Sequence, residues 1–181
     1  MESTALQSSV ALKRNRNGHL TFMITGLDLT GVQEIERLED TGYHLSEYAK
    51  LSFESREYNR HRLEVGKKYN IALLPNGFGR TTEVVQSMAE KFGYNSKSPA
   101  GIAPRIREVI SDEQMKTKEM NLIYITALSR VAAIYNGSLV FRSSCNGAGG
   151  SIVSYFDYDG YCWNNPFNNA FAFIDPIEMV G

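Results

Sequence analysis

Between Asn121 and Ile177 the chain contains no Lys, Glu, Gln or Met. From Met1 to Met120 those four types fill thirty of 120 positions, so their loss over the next 57 is a break in composition. Asn, Tyr, Ser, Gly, Asp, Phe and Cys take their place, in the run SSCNGAGGSIVSYFDYDGYCWNNPFNNAFAF. The hydrophobic pattern changes at the same boundary, from helical spacing to short β segments. Aromatic rings offer contact area with few torsions to freeze, and Ser, Asn and Gly offer adaptable hydrogen bonds, so this is the residue usage of a binding surface.

Before the boundary the pattern is strand, then helices, then strand, then helices. Leu20–Ile24 (LTFMI) reads as a strand ending near Gly26. Asp28 or Thr30 can cap a helix carrying Val32, Ile35 and Leu38, stopped by Thr41-Gly42. His44–Phe53 is expected as a second helix with Leu45, Tyr48 and Ala49 inward, and Arg56–Lys68 as a charged connector. Tyr69–Leu74 (YNIALL) is a strand ended by Pro75-Asn76-Gly77. Thr81 or Thr82 opens a helix with Val84, Val85, Met88 and Phe92 on one face and Gly93 at its end. Ile102, Ile106, Val109 and Ile110 mark another, with Pro104 in its first turn and Arg105, Arg107 and Glu108 facing water. Asp112–Met120 reads as a charged linker or helix end.

After the boundary, Leu122–Leu128, Ser151–Phe156 and Ala170–Ile174 read as strands, and Asn136-Gly137 as the turn of a hairpin between Ile134-Tyr135 and Ser138–Phe141. The order predicts an α+β fold: an N-terminal strand and helices, then a C-terminal cluster of short antiparallel strands with long loops. Pairing of the first strand with the last would bring the chain ends together in one sheet.

A length of 181 residues fits one domain, here expected over 19–181, preceded by a flexible tail over 1–18. The formal net charge of −1 implies no strongly charged partner. Lys13, Arg14 and Arg16, and the stretch through Arg56, Arg60, His61, Arg62, Lys67 and Lys68, read as solvated segments rather than a nucleic-acid patch. No apolar run reaches membrane-span length and no secretory h-region stands at the N-terminus, which predicts a cytoplasmic or virion-associated protein. Cys145 and Cys162 fit neither a metal spacing nor a redox motif; the sequence leaves open a disulfide between them, and a cytosolic location predicts two free thiols.

Tyr155, Phe156, Tyr158, Tyr161, Trp163 and Phe167 are six aromatics within thirteen residues, interleaved with Asp157, Asp159, Asn164, Asn165, Asn168 and Asn169. A core strand alternates more cleanly and is richer in Val, Ile and Leu, and Asn and Asp favour turns, so much of the stretch is expected as surface loop. The candidate ligand-binding residues are Ser154, Phe156, Asp157, Tyr158, Asp159, Tyr161, Asn164, Asn165, Phe167, Asn168 and Asn169. Trp163, Phe171 and Phe173 are expected in the core, and Gly149 and Gly150 at a tight bend.

The framework Arg142, then Gly149-Gly150-Ser151, then Trp163-Asn164-Asn165-Pro166-Phe167-Asn168-Asn169-Ala170-Phe171 resembles the end of C-type-lectin-fold domains of the formylglycine-generating-enzyme type. More narrowly it is similar to the variable proteins of diversity-generating retroelements. Ile152 stands where that motif has Trp, and Ala170-Phe171-Ala172-Phe173 lacks its terminal Gly and Arg. In such systems template adenines are randomised, so Asn codons scatter to Tyr, Asp, Ser, Cys, Gly, Phe and Ile but never to Lys, Glu, Gln, Met or Trp. Those unreachable types, Trp163 apart, are the ones missing here. The resemblance implies a C-type-lectin-like fold, a variable region over about 142–173, a viral or prokaryotic source, and recognition of a macromolecular ligand, a protein or cell-surface receptor, without catalysis, cofactor or metal.

Two other readings follow from the same residues. One is an oxidase relative of the formylglycine-generating type using Cys145 or Cys162, although His19, His44 and His61 all lie in the N-terminal third. The other is a calcium-dependent carbohydrate-binding lectin built on Asp157, Asp159, Asn164 and Asn165, in a segment that offers no Glu. Asn76-Gly77-Phe78-Gly79 lacks the spacing and lysine of a phosphate loop and reads as a strand-to-helix turn.

Overall fold

A computed structural model describes residues 9–77, 80–134, 137–145, 150–158, 161–163 and 168–176, with backbone alone at 132–134, 156 and 158. The chain is mixed α+β. The described residues form eight strands, β1 (Lys13–Arg14), β2 (Leu20–Thr25), β3 (His44–Leu45), β4 (Lys68–Pro75), β5 (Tyr124–Ile134), β6 (Gly137–Ser144), β7 (Ser151–Tyr158) and β8 (Asn169–Ile174). They form one sheet in the order β1-β2-β4-β8-β5-β6-β7-β3. Neighbours run antiparallel except β5 with β8 and β3 with β7, which are parallel. The first long strand and the last do not pair. Both flank β4, which lies between them, so the sheet still unites the two ends of the chain.

The central strands are buried on both faces, which is why YNIALL, LIYITAL and AFAF read as continuous apolar runs. Period-two alternation sorts them. Ile71, Leu73, Ala170, Ala172, Ile125, Ala127, Leu139, Phe141 and Ile152 enter one core. Ala72, Leu74, Phe171, Phe173, Leu128 and Val140 enter the other, with Trp163.

The first core is covered by α1 (Gly31–Asp40), α2 (Glu47–Glu54), α3 (Arg56–Arg60) and α5 (Ile102–Val109). Phe53, Tyr58 and Phe141 meet there with ring centroids 4.5–5.9 Å apart. Such ring pairs add about 0.5–1.5 kcal/mol each beyond their buried area. The second core is covered by α4 (Thr82–Lys91) through Val85 and Ala89. A short α6 (Asp112–Met115) completes the set.

The helices start where the caps predict. Thr30 and Gln33 form a capping box on α1, and Thr81 caps α4. Gly42 takes φ +89 just past α1, the left-handed position that stops it. Gly31 is needed for a close approach, because a Cβ there would meet the Phe53 carbonyl oxygen.

Several expectations are corrected. His44–Phe53 is not one helix: His44 and Leu45 pair with Ser151 and Ile152, and Ser46 then caps α2. Tyr48 and Val84 face water, because the inward positions of their helices are Ala49, Ser52 and Phe53, and Val85 and Ala89. The Arg56–Lys68 connector contains α3. In the hairpin Ile134 pairs with Gly137, so Gly137 begins the return strand and is not a turn residue. The segment 151–158 is strand throughout, paired with β6 along its length, where loop was expected from Asp157 onward.

Two corrections concern charge. Arg105 and Arg107 do not face water; α5 is enclosed by other elements, and the two side chains are 3% and 2% exposed. Arg105 pairs with Glu34 and Glu108, and Arg107 with Asp112. Nor are residues 10–18 a free tail. Val10 and Leu12 pack on the core, β1 pairs with β2, and the buried Asn15 donates to the Tyr94 hydroxyl at 2.7 Å and to Asp175 at 3.0 Å.

Candidate functional site

The second face of the sheet narrows to a polar pocket at one end. Thr126 of β5 lies opposite Arg142 of β6, and Arg142 opposite Val153 of β7. Alternation therefore puts Tyr124, Arg142 and Tyr155 on one face, and Asn169 of β8 lies beside Tyr124. These residues, with Asn76, Tyr161 and Trp163, line a cavity of about 240 Å³.

The Arg142 guanidinium lies 4.3 Å from the Tyr155 ring centre, 4.5 Å from Tyr124 and 5.5 Å from Trp163. Aromatic faces attract a cation through their quadrupoles. Its Nε approaches the Thr126 hydroxyl at 3.3 Å. No carboxylate among the described residues pairs with it. Burial pulls its pKa below the ordinary arginine value, against an opposing effect of Tyr155, Tyr124 and Tyr161. The group stays a cation at any physiological pH.

The wall of the pocket is held from below. Trp163 is fully buried, and its Nε1–H donates to Thr82 Oγ1 at 3.0 Å. Thr82 Oγ1 in turn donates to Asp157 Oδ1 at 3.0 Å, and Asp157 Oδ2 accepts from Arg130 Nε at 2.8 Å. The Trp163 carbonyl accepts from Asn76 Nδ2 at 3.1 Å, and its amide donates to the Arg80 carbonyl at 2.9 Å. Tyr161 packs edge-on against Trp163 at 5.1 Å and donates its hydroxyl to that of Tyr155 at 3.0 Å. The first turn of α4 thus anchors the segment that carries the rings.

The expected contact residues divide. Tyr161 is half-buried and lines the pocket. Ser154 is on the other face, its hydroxyl 2.8 Å from that of Ser52 in α2. Asp157 is corrected, being 2% exposed and no surface contact, whereas Asn169, though 3% exposed, lines the pocket. Asp157 is consumed by Thr82 and Arg130, because a buried carboxylate needs donors. Asn169 Oδ1 accepts from the Thr126 hydroxyl at 3.1 Å. Asn168 takes the left-handed φ of 65, and its carbonyl receives the amides of Ile123 and Tyr124. Phe156 and Tyr158 belong to β7 by backbone. Asp159, Asn164, Asn165 and Phe167 lie outside the described residues, as do Gly149 and most of the Asn-rich loop.

Arg142, Tyr124, Tyr155 and Asn76 were not among the expected contacts. Arg142 had a signal: it is the lone charge in LVFRSS, a run otherwise suited to a core strand. Asn76 had none, since only the tertiary fold brings it within reach of Trp163.

The cysteines are free thiols. Burial raises the Cys145 pKa, and its Sγ donates to the Leu122 carbonyl at 3.3 Å. His19 is paired with the Tyr94 hydroxyl at 2.6 Å, on the far side of β4 from Arg142. Among the described residues no three His, Cys, Asp or Glu side chains cluster as metal ligands, and no helix is long and apolar enough to cross a membrane. A larger cavity of about 480 Å³, lined by Arg60, Lys97, Arg130 and Glu57 among others, gathers none of the expected contacts.

Compared with protein-family models, curated proteins and solved structures, the chain matches none.

Proposed function

We propose that this chain is a ligand-recognition protein without catalytic activity, whose C-terminal face engages a macromolecular partner. One observation carries the reading. Tyr155 and Tyr161 line a pocket, their hydroxyls already hydrogen-bonded to each other and their rings packed against Trp163. Aromatic anchors held in place before binding lose little entropy when a partner arrives. Tyr155 is 37% exposed, so ring area remains for contact.

Within this proposal the sheet and helices serve as a C-type-lectin-like scaffold, and the face is diversified by a retroelement. The composition of Asn121–Ile177 supports that origin, since the absent residue types are those adenine-directed randomisation of Asn codons does not reach. Trp163 is unreachable by the same chemistry, and it is buried and hydrogen-bonded to Thr82 as part of the framework. The partner is a protein or cell-surface receptor.

The test is the DNA beside the gene. A near-copy of the stretch encoding Arg142–Phe173, differing only where the copy has adenine, with a reverse-transcriptase gene nearby, is the expected result. A flanking region with neither removes the retroelement origin.

A further inference from the structure

Arg142 is a cation with no carboxylate partner among the described residues. The two arginines buried most deeply among the described residues, Arg105 and Arg107, each have a carboxylate within 3 Å. Arg142 has ring faces and one hydroxyl. Ring faces offset part of the loss of water but give no acceptor to the two terminal nitrogens. Removing a charge from water without a counter-charge carries a standing penalty, which an incoming anion relieves.

The rest of the lining has the same polarity. Among the described residues no Asp or Glu lines the cavity. Tyr155 accepts the Tyr161 hydroxyl and so keeps its own hydrogen to donate. Asn169 spends its oxygen on Thr126, which leaves its amide hydrogens. One fixed positive charge, a phenol donor and an amide donor converge on a space of about 240 Å³.

From this arrangement we infer that the pocket receives a carboxylate carried by the ligand, bound on the Arg142 fork with Tyr155 and Asn169 as added donors. A planar carboxylate matches the guanidinium in two parallel hydrogen bonds. One guanidinium neutralises one carboxylate, whereas a phosphate dianion would leave a net negative charge among the rings. This inference rests on reading the face as a binding surface, and it names the chemical group that the face selects.

Trp163 is the chain's one tryptophan and lines the pocket, so its indole resonance reports on occupancy. Propionate, propionamide and inorganic phosphate are titrated into the isotope-labelled protein at constant ionic strength. Propionate is expected to shift the Trp163 indole and Arg142 side-chain signals saturably, with propionamide leaving them in place. Arg142→Gln should weaken propionate at least about tenfold. Equal shifts with propionate and propionamide, tighter binding of phosphate, or retention of propionate by the variant each overturn the assignment. The comparison of the two small molecules on the unaltered protein stands even if the variant does not fold. Failure here with a template copy found beside the gene removes only the carboxylate. Binding of propionate with no such copy removes only the retroelement origin.

Discussion

Thr82 receives the indole N–H of Trp163 at 3.0 Å and passes its own proton toward Asp157 at the same distance. The three residues come from the first turn of α4, the loop after β7 and β7 itself, so one hydroxyl joins three parts of the chain. Thr82 is 1% exposed, and no water can replace it cheaply.

Thr82→Val keeps the shape and removes the hydroxyl. It strands the indole N–H and one carboxylate oxygen, and a loss of about 2–4 kcal/mol is expected from two unsatisfied buried groups. Urea unfolding followed by the fluorescence of Trp163 measures it. A change below about 0.5 kcal/mol, the range of ordinary surface substitutions, would mean that the relay does not hold the loop.

The Glu34–Arg105 pair is sealed between α1 and α5, with Nη2 2.5 Å from Oε2. Burial raises the Glu34 pKa and lowers that of Arg105, while each charge favours ionisation of the other. Arg105→Leu leaves the carboxylate alone beside Tyr58 and is expected to lose about 3–5 kcal/mol. Glu34→Leu together with Arg105→Leu should lose less than the sum of the singles. A thermodynamic double-mutant cycle decides it, and strict additivity would show that the two charges are independent.

His19 sets a pH dependence. Burial lowers its pKa below the ordinary 6.5, and Asp175 opposes only in part. The unfolded chain therefore binds the proton more readily than the folded one. The contribution of neutral His19 is intact above 6.5 and is lost as pH falls through the lower folded value. The urea midpoint should drop between about pH 7.5 and about pH 5, and drop less in His19→Gln. Parallel pH curves for the two proteins would contradict the shift.

Cys145 and Cys162 are unbridged, so reductant should leave the melting temperature unchanged. Thiol titration of the urea-unfolded, unreduced chain should count two. Cys145→Ala should lose about 1 kcal/mol, through lost packing and the bond to the Leu122 carbonyl. A count of zero would establish a disulfide.

The element types were largely legible in the chain. Thr30, Thr81, Gly42 and the apolar runs of β4, β5 and β8 act through local rules of capping, turn geometry and periodicity, which hold whatever surrounds them. The misread elements were those where a distant partner overrode local preference. His44-Leu45 became a strand because β7 offered an edge, and β7 ran on through Asp157 because β6 paired with it. The candidate site was legible as a region and not as a set of residues. Asp157 looks like a surface contact until Arg130 and Thr82 are placed beside it.

Composition alone determined that the last third of this chain would be built from aromatic, amide and hydroxyl side chains, because that is a property of residue types. Which of them point into a shared space was decided by the sheet. Strand order brings Tyr124, Arg142 and Tyr155 to one face from positions up to 31 residues apart, and α4 fastens Trp163 beside them. Arg105 is buried and Arg142 half-buried, yet Glu34 meets only the first. A charge's partner is fixed by distance in space, which spacing along the chain does not encode.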